Sequence, residues 1–150
     1  HQLHRRQRQM CIRDRSKPDI ICDVATLTGA AYVALGVEIG AVFSNNKVTL
    51  DSFLNSNNDG FENYHSLPLE QSYKSQIKSN IADMKNSGGR FGGAITAALL
   101  LEEFVDDLNW IHLDIAGPAR SRSSNSIYPE GGTGFGVLGY FNFLANEANG

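Results

Sequence analysis

From Asp19 to Ala30 the chain reads Asp-Ile-Ile-Cys-Asp-Val-Ala-Thr-Leu-Thr-Gly-Ala, and this stretch limits the fold more than any other. Ile20, Ile21, Cys22 and Val24 form a short apolar run with little alternation, the pattern of a strand covered on both faces. Thr26, Thr28 and Gly29 interrupt it, and alanines at 30, 31 and 34 follow. Hydroxyls ahead of an alanine-rich segment predict a helix start with Thr26 or Thr28 as the N-cap. A strand that hands over to a helix belongs to an α/β sheet, and open sheets of that class place ligands at strand ends.

The rest of the chain repeats the theme. After a helix over Thr28 to Leu35, residues Ile39 to Phe43 read as a second strand, and Leu50, Phe53 and Leu54 mark a helix over Val48 to Asn55. Leu69, Tyr73 and Ile77 share one face of a helix predicted after Pro68. Ile81 to Gly93 is rich in Gly, Asn and Ser and reads as loop. Gly93 to Val105 reads as a long helix with Ala94, Ala97, Ala98, Leu101 and Val105 along one stripe. Trp110 to Ile115 returns as a strand, Ala119 to Gly132 as loop, and Phe135 to Asn146 as a closing helix. Strands separated by helices predict an α/β class.

A length of 150 residues suits one domain, able to bury ~70% of its unfolded surface. No apolar run approaches the ~18 residues of a membrane span, and no secretory h-region follows the basic start, so no membrane partner and a cytoplasmic location are expected. Cys11 and Cys22 are too few for a disulfide framework. The net charge of -3 is unevenly distributed: Arg5, Arg6, Arg8, Arg13 and Arg15 face only Asp14 in residues 1–15, which leaves the remainder near -7. That acidic body argues against a nucleic-acid partner. The basic segment has no period, glycine hinge or aromatic, and it resembles a translated sequencing adapter. The expectation is therefore a non-native leader over 1–15 ahead of a body over 16–150.

Three motif matches carry no chemistry as letters alone. Asn55 to Gly60 imitates half of an EF-hand loop, but position twelve would be Ser66 where a bidentate Glu is needed, so a plain turn is expected. Gly134, Gly136 and Gly139 fit a dinucleotide fingerprint with no strand directly before them and no room for a βαβ unit after. Gly88 to Gly93 reads as a hinge or substrate-facing loop. His112 and Asp114, two apart on a strand, point to one face and have the chemistry of a metal pair, with Asp23 near the same crevice. The commoner reading of such acids is a buried carboxylate that binds backbone amides at a strand end.

Several segments, in order, resemble the leucyl (cytosol) aminopeptidase family. They are Asp23-Val-Ala-Thr-Leu-Thr-Gly-Ala30, Val33-Ala-Leu-Gly36, Ala41-Val-Phe43, Ile81-Ala-Asp-Met-Lys-Asn86, Gly92-Gly-Ala-Ile-Thr-Ala-Ala98, Trp110-Ile-His-Leu-Asp-Ile-Ala-Gly117 and Gly132-Thr-Gly-Phe-Gly-Val137. The resemblance spans nearly all of Lys17 to Leu144. It implies an α/β fold with a mixed, mainly parallel sheet sandwiched between helices, part of a di-metal catalytic domain that assembles as a homohexamer.

The resemblance also implies hydrolysis of N-terminal residues from peptides with a free N-terminus, with two divalent ions (Zn or Mn) and bicarbonate as base. The family's ligands for those ions, and its catalytic lysine and arginine, precede the matched region, so no catalytic or metal-ligating residue is expected here and His112 and Asp114 are not ligands. By the same resemblance Thr26, Leu27 and Gly29 line the substrate's amino end and first side chain, and Ala116 and Ala119 form the other wall. Leu138 departs from an arginine expected in many relatives. The alternative function is a non-catalytic structural or binding subunit of the same fold.

Overall fold

The computed structural model describes residues 15–58, 60–85, 88–124 and 129–149. The basic segment up to residue 14, Asp59 of the EF-hand-like loop and Asn86 of the resemblance lie outside the described residues. In chain order the elements are β1 (Ile20–Ala25), α1 (Gly29–Leu35), β2 (Ile39–Ser44), α2 (Lys47–Ser56), β3 (Asn63–Ser66) and a 3-10 helix (Gln71–Ile77). Then come α3 (Gly93–Glu102), β4 (Asn109–Asp114), the two-residue β5 (Arg120–Ser121) and β6 (Gly131–Gly132), and α4 (Val137–Asn149).

The main sheet runs β1-β4-β2-β3. The β1/β4 and β2/β3 pairs are parallel and the β2/β4 pair antiparallel, so the sheet is mixed and mainly parallel. Alternation along β4 divides the core. Trp110 joins Ala31, Phe43, Ala94 and Ala98 beneath α1 and α3, whereas Ile111 and Leu113 join Phe53 and Phe143 beneath α2 and α4. Helices therefore cover both faces, as expected of the class.

β1 has β4 as its one strand neighbour and is half-buried, yet its apolar residues reach both sides of the core, Ile21 the α1/α3 side and Ile20 and Cys22 the α2/α4 side, as its run of apolar residues implies. Four other readings from sequence need correction. Gln71–Ile77 forms a 3-10 helix in place of the predicted α-helix, with the Glu70 side chain accepting from Ser72 N–H. The end of α3 comes at Glu102, where the chain tightens into three-residue bonds from Phe104 N–H to Leu101 and Val105 N–H to Glu102. Nor is α3 one-sided, because Leu99 and Leu100 are buried against Ile77 while Ala94 and Ala98 face the sheet. The segment read as loop from Ala119 to Gly132 holds the short β5–β6 ribbon, and β3 lies in a stretch given no element from sequence.

Caps set the other boundaries. Thr28, not Thr26, caps α1, its hydroxyl accepting from Ala31 N–H at 3.0 Å. Asn46 caps α2 by accepting from Val48 and Thr49 N–H. At the far end of α2 the Asn57 amide donates to Phe53 C=O at 2.9 Å and Gly139 C=O at 3.1 Å, so the EF-hand-like letters begin as a helix cap that ties α2 to α4. The fingerprint glycines serve packing as well: Gly134 and Gly136 have φ of +70° and +95°, and Gly139 lies beneath Tyr64, where a Cβ would fall 2.1 Å from the phenol oxygen.

Cys22 belongs to the α2/α4 side of the sheet. Burial first, then the negative charges of Asp23 and Glu147, push its thiol up to about 11. With the thiolate as the reactive form, iodoacetamide at pH 8 is expected to alkylate native Cys22 about 100-fold more slowly than the same residue in urea. Mass spectrometry of a Cys11→Ser background checks this, and equal rates would contradict the burial of the thiol.

Candidate functional site

β1 and β4 run parallel in a register that sets Ala25 opposite Asp114, so both strands end side by side. Ile115 N–H extends the ladder by donating to Ala25 C=O at 2.9 Å. Beyond that bond the chain diverges into two loops. One is Thr26 to Thr28, leading into α1; the other is the turn from Ala116 to Ala119, leading into β5.

Asp114 joins them. Its side chain is buried, 1% exposed. Leu27 N–H donates to Oδ1 at 3.0 Å and Ala116 N–H to the same oxygen at 3.2 Å. The Thr28 hydroxyl donates to Oδ2 at 2.7 Å while accepting from Ala31 N–H. This is the buried acid that binds backbone amides at a strand end, one of the two readings open for Asp114 from sequence.

The second loop is fastened independently. Ala119 N–H donates to Ile115 C=O at 3.0 Å, Thr133 N–H to Ala119 C=O at 3.1 Å, and the Thr133 hydroxyl to Pro118 C=O at 2.7 Å. Gly117 is packed so closely on the turn after α1 that a Cβ would fall 2.0 Å from Gly36 C=O. The five residues expected at a substrate site are therefore brought to one end of the sheet. Thr26 and Gly29 are exposed, and Leu27, Ala116 and Ala119 are half-buried. A Cβ on Gly29 would meet nothing within 4 Å, so the start of α1 faces open space.

A neighbouring cavity of about 260 Å³ lies between this loop and α3, with Leu27, Thr28, Gly88, Gly89 and Thr96 in its wall. Gly88 and Gly89 thus belong beside the strand ends, a placement that the glycine-rich letters hinted at but could not locate. Gly89 N–H is held by the Gln76 side chain at 3.0 Å.

The other acids of the crevice are also engaged. Asp23 Oδ1 pairs with His112 Nδ1 at 2.6 Å, and Trp110 Nε1–H donates to Oδ2 at 2.6 Å. His112 is fully buried, its ring stacked on Phe43 and Trp110 with centroids at 6.0 and 5.9 Å. Its Nε2 has no hydrogen-bond partner among the described residues. The Tyr140 hydroxyl donates to Asp23 C=O at 2.5 Å, and burial, reinforced by the charges of Asp23 and Cys22, holds its phenol well above the ordinary range.

A two-metal centre does not fit this donor set. Among the described residues there is no group of three or more His, Cys, Asp or Glu placed to hold an ion. Both oxygens of Asp23 and of Asp114 already receive N–H or O–H donors, and Glu62 receives Gly136 N–H, Gly139 N–H and the Tyr64 hydroxyl. What these residues offer is a shaped rim of backbone and small side chains.

Comparison with known proteins identifies the family. The family model for the catalytic domain of the cytosol aminopeptidase family matches residues 9–139, which includes the end of the basic segment read as non-native. A probable cytosol aminopeptidase of Synechococcus sp. (strain CC9902) is 47% identical over 133 residues, covering 88% of this chain and 27% of the relative. One from Syntrophotalea carbinolica is 47% identical over 133 residues, with 89% and 27% covered. The chain thus spans about a quarter of the length of these relatives. Among solved structures, a tomato leucine aminopeptidase mutant superposes with a TM-score of 0.80 at 37% identity, covering 87% of this chain and 25% of that one. The bottromycin maturation enzyme BotP gives 0.87 at 36% identity, covering 94% and 32%. On the family match, the identities and the shared fold together, this chain belongs to the cytosol aminopeptidase family, within its catalytic domain.

Proposed function

We propose that residues 16–150 are the C-terminal portion of a two-metal aminopeptidase catalytic domain and supply the substrate-facing rim of a longer polypeptide. The substrates are peptides with a free N-terminus. Thr26, Leu27 and Gly29 line one side of the pocket for the first residue, and Ala116 and Ala119 line the other. The observation that carries this reading is the convergence of those five residues at one end of the sheet, around a single buried carboxylate, in a member of this family. Small residues at that rim leave room for a side chain and expose backbone groups to a peptide.

The pair of zinc or manganese ions and the base belong to the preceding part of that polypeptide. Bound there, such a pair would supply Lewis acidity to activate a water and polarise the first peptide carbonyl. No step of that chemistry is assigned to residues described here. Homohexameric assembly and a cytoplasmic setting complete the proposal, supported by family membership and by relatives named cytosol aminopeptidases. No described helix is long and apolar enough to cross a membrane.

The test compares the 150-residue chain with the longer polypeptide. Alone, the chain is expected to bind no stoichiometric zinc or manganese by metal analysis and to release no leucine from a leucyl amide. The longer polypeptide is expected to do both. Metal-dependent release by the short chain would overturn the division of labour proposed here.

A further inference from the structure

We propose that Asp114 is a positioning residue that sets the separation of the two walls of the peptide pocket. The inference rests on the functional reading above and deepens it, because it names the group on which the shape of that site depends.

Removing a carboxylate from water costs several kcal/mol unless donors replace the lost hydration. Asp114 is buried, and three donors from two separate loops replace it. Leu27 N–H and Thr28 Oγ–H come from the wall after β1, and Ala116 N–H comes from the wall after β4. Two of these, one from each wall, converge on the single atom Oδ1, so one oxygen fixes the spacing of the two backbones. The third holds Thr28 Oγ on Oδ2, and the same hydroxyl caps α1, so the start of the helix is tied to the spacing as well.

An apolar side chain of similar size would fill the volume without linking the loops. An asparagine would keep an oxygen for the N–H groups of Leu27 and Ala116 but, being uncharged, would hold both walls less strongly, and its N–H₂ in place of Oδ2 would leave the Thr28 hydroxyl proton without its acceptor. Because the loops contact substrate and Asp114 does not, the role is exerted through position.

The experiment uses the longer polypeptide, loaded with zinc or manganese, and compares wild type with Asp114→Asn, Thr28→Val and Thr28→Ser. Release of leucine and of alanine from their p-nitroanilides gives kcat and KM, and melting temperatures are taken in parallel. Loss of a charge-assisted hydrogen bond at the pocket is expected to raise KM for the leucyl substrate about tenfold in Asp114→Asn and Thr28→Val, with kcat within about threefold of wild type. The preference for leucine over alanine is expected to fall in both. Thr28→Ser keeps the hydroxyl and is expected to restore KM and preference to within about twofold of wild type.

A merely structural role would lower the melting temperature and the amount of active enzyme, hence kcat, with KM and preference unchanged; that result overturns the positioning role and leaves the functional reading intact. If Asp114→Asn does not fold, the Thr28 pair decides the question by the same criteria. Wild-type polypeptide that releases neither amino acid overturns the functional reading, and the positioning role falls with it.

Discussion

Glu62→Ala is expected to lower the melting temperature of the chain by about 10 °C, although Glu62 is remote in sequence from every motif that points to function. The side chain is only 7% exposed, and its two oxygens receive Gly136 N–H at 2.9 Å, Gly139 N–H at 2.7 Å and the Tyr64 hydroxyl at 2.6 Å. Gly136 and Gly139 flank the start of α4, where backbone donors have no partners within the helix and the helix dipole favours a negative charge. The carboxylate therefore caps a helix from a distant loop, and Tyr64 lies across Gly139 to seal it. Removing the carboxylate takes this acceptor from the N–H groups of Gly136 and Gly139 and from the Tyr64 hydroxyl in a buried site, a loss of about 3–5 kcal/mol. Phe143 of α4 packs on Phe53 with ring centroids at 5.7 Å, so loosening α4 exposes the whole core on that side of the sheet. Glu62→Gln retains one acceptor and is expected to lose about half as much. Circular dichroism melts check both, and a Glu62→Ala midpoint within about 2 °C of wild type would contradict the cap.

That contact shows why sequence reveals some of this molecule and conceals the rest. The main α/β alternation was legible because each unit is local: the apolar run at Ile20, the hydroxyl at Thr28 and the alanines after it announce their states within a few residues. β3 was not, since Asn63 to Ser66 offers only Tyr64 as an apolar residue and pairs at the sheet edge, where little burial is required. The cover of β1 was legible from its local apolar run, since Ile21 joins one side of the core and Ile20 and Cys22 the other.

The site divides in the same way. The five residues proposed for its rim come from family resemblance, and the role of Asp114 as a backbone-binding acid was one of two readings open from its place on a strand. Its partners Leu27 and Thr28 were hidden, because they lie on the neighbouring strand's loop and only the parallel register of β1 and β4 brings them together. The pairing of Asp23 with His112 follows from the same register, which sets the two residues side by side.

Gly117→Ala is expected to destabilise the chain by about 3 kcal/mol, and in the longer polypeptide to depress aminopeptidase activity by more than the lost stability explains. The added Cβ would stand 2.0 Å from Gly36 C=O and 3.1 Å from the Gly36 carbonyl carbon. Both are backbone atoms, so no side chain can turn aside to make room. Gly36 cannot yield easily either. Its φ of 76° and ψ of -150° lie in a region that essentially only glycine occupies, and its N–H is held by Tyr32 C=O at 2.9 Å. The turn after β4 must therefore withdraw from the end of α1, carrying Ala116 away from Asp114 and Ala119 away from Thr133. A comparison isolates the cause. Gly36→Ala adds a methyl group with nothing within 4 Å, so its cost is conformational alone, about 1–3 kcal/mol. Because the two turns share one contact, the double variant is expected to lose less than the two single losses combined, by 0.5 kcal/mol or more, on the order of the coupling usual for touching residues. Urea midpoints of the three variants test this: strict additivity would mean that the turns relax independently, and the close approach of Gly117 to Gly36 would then have no energetic consequence.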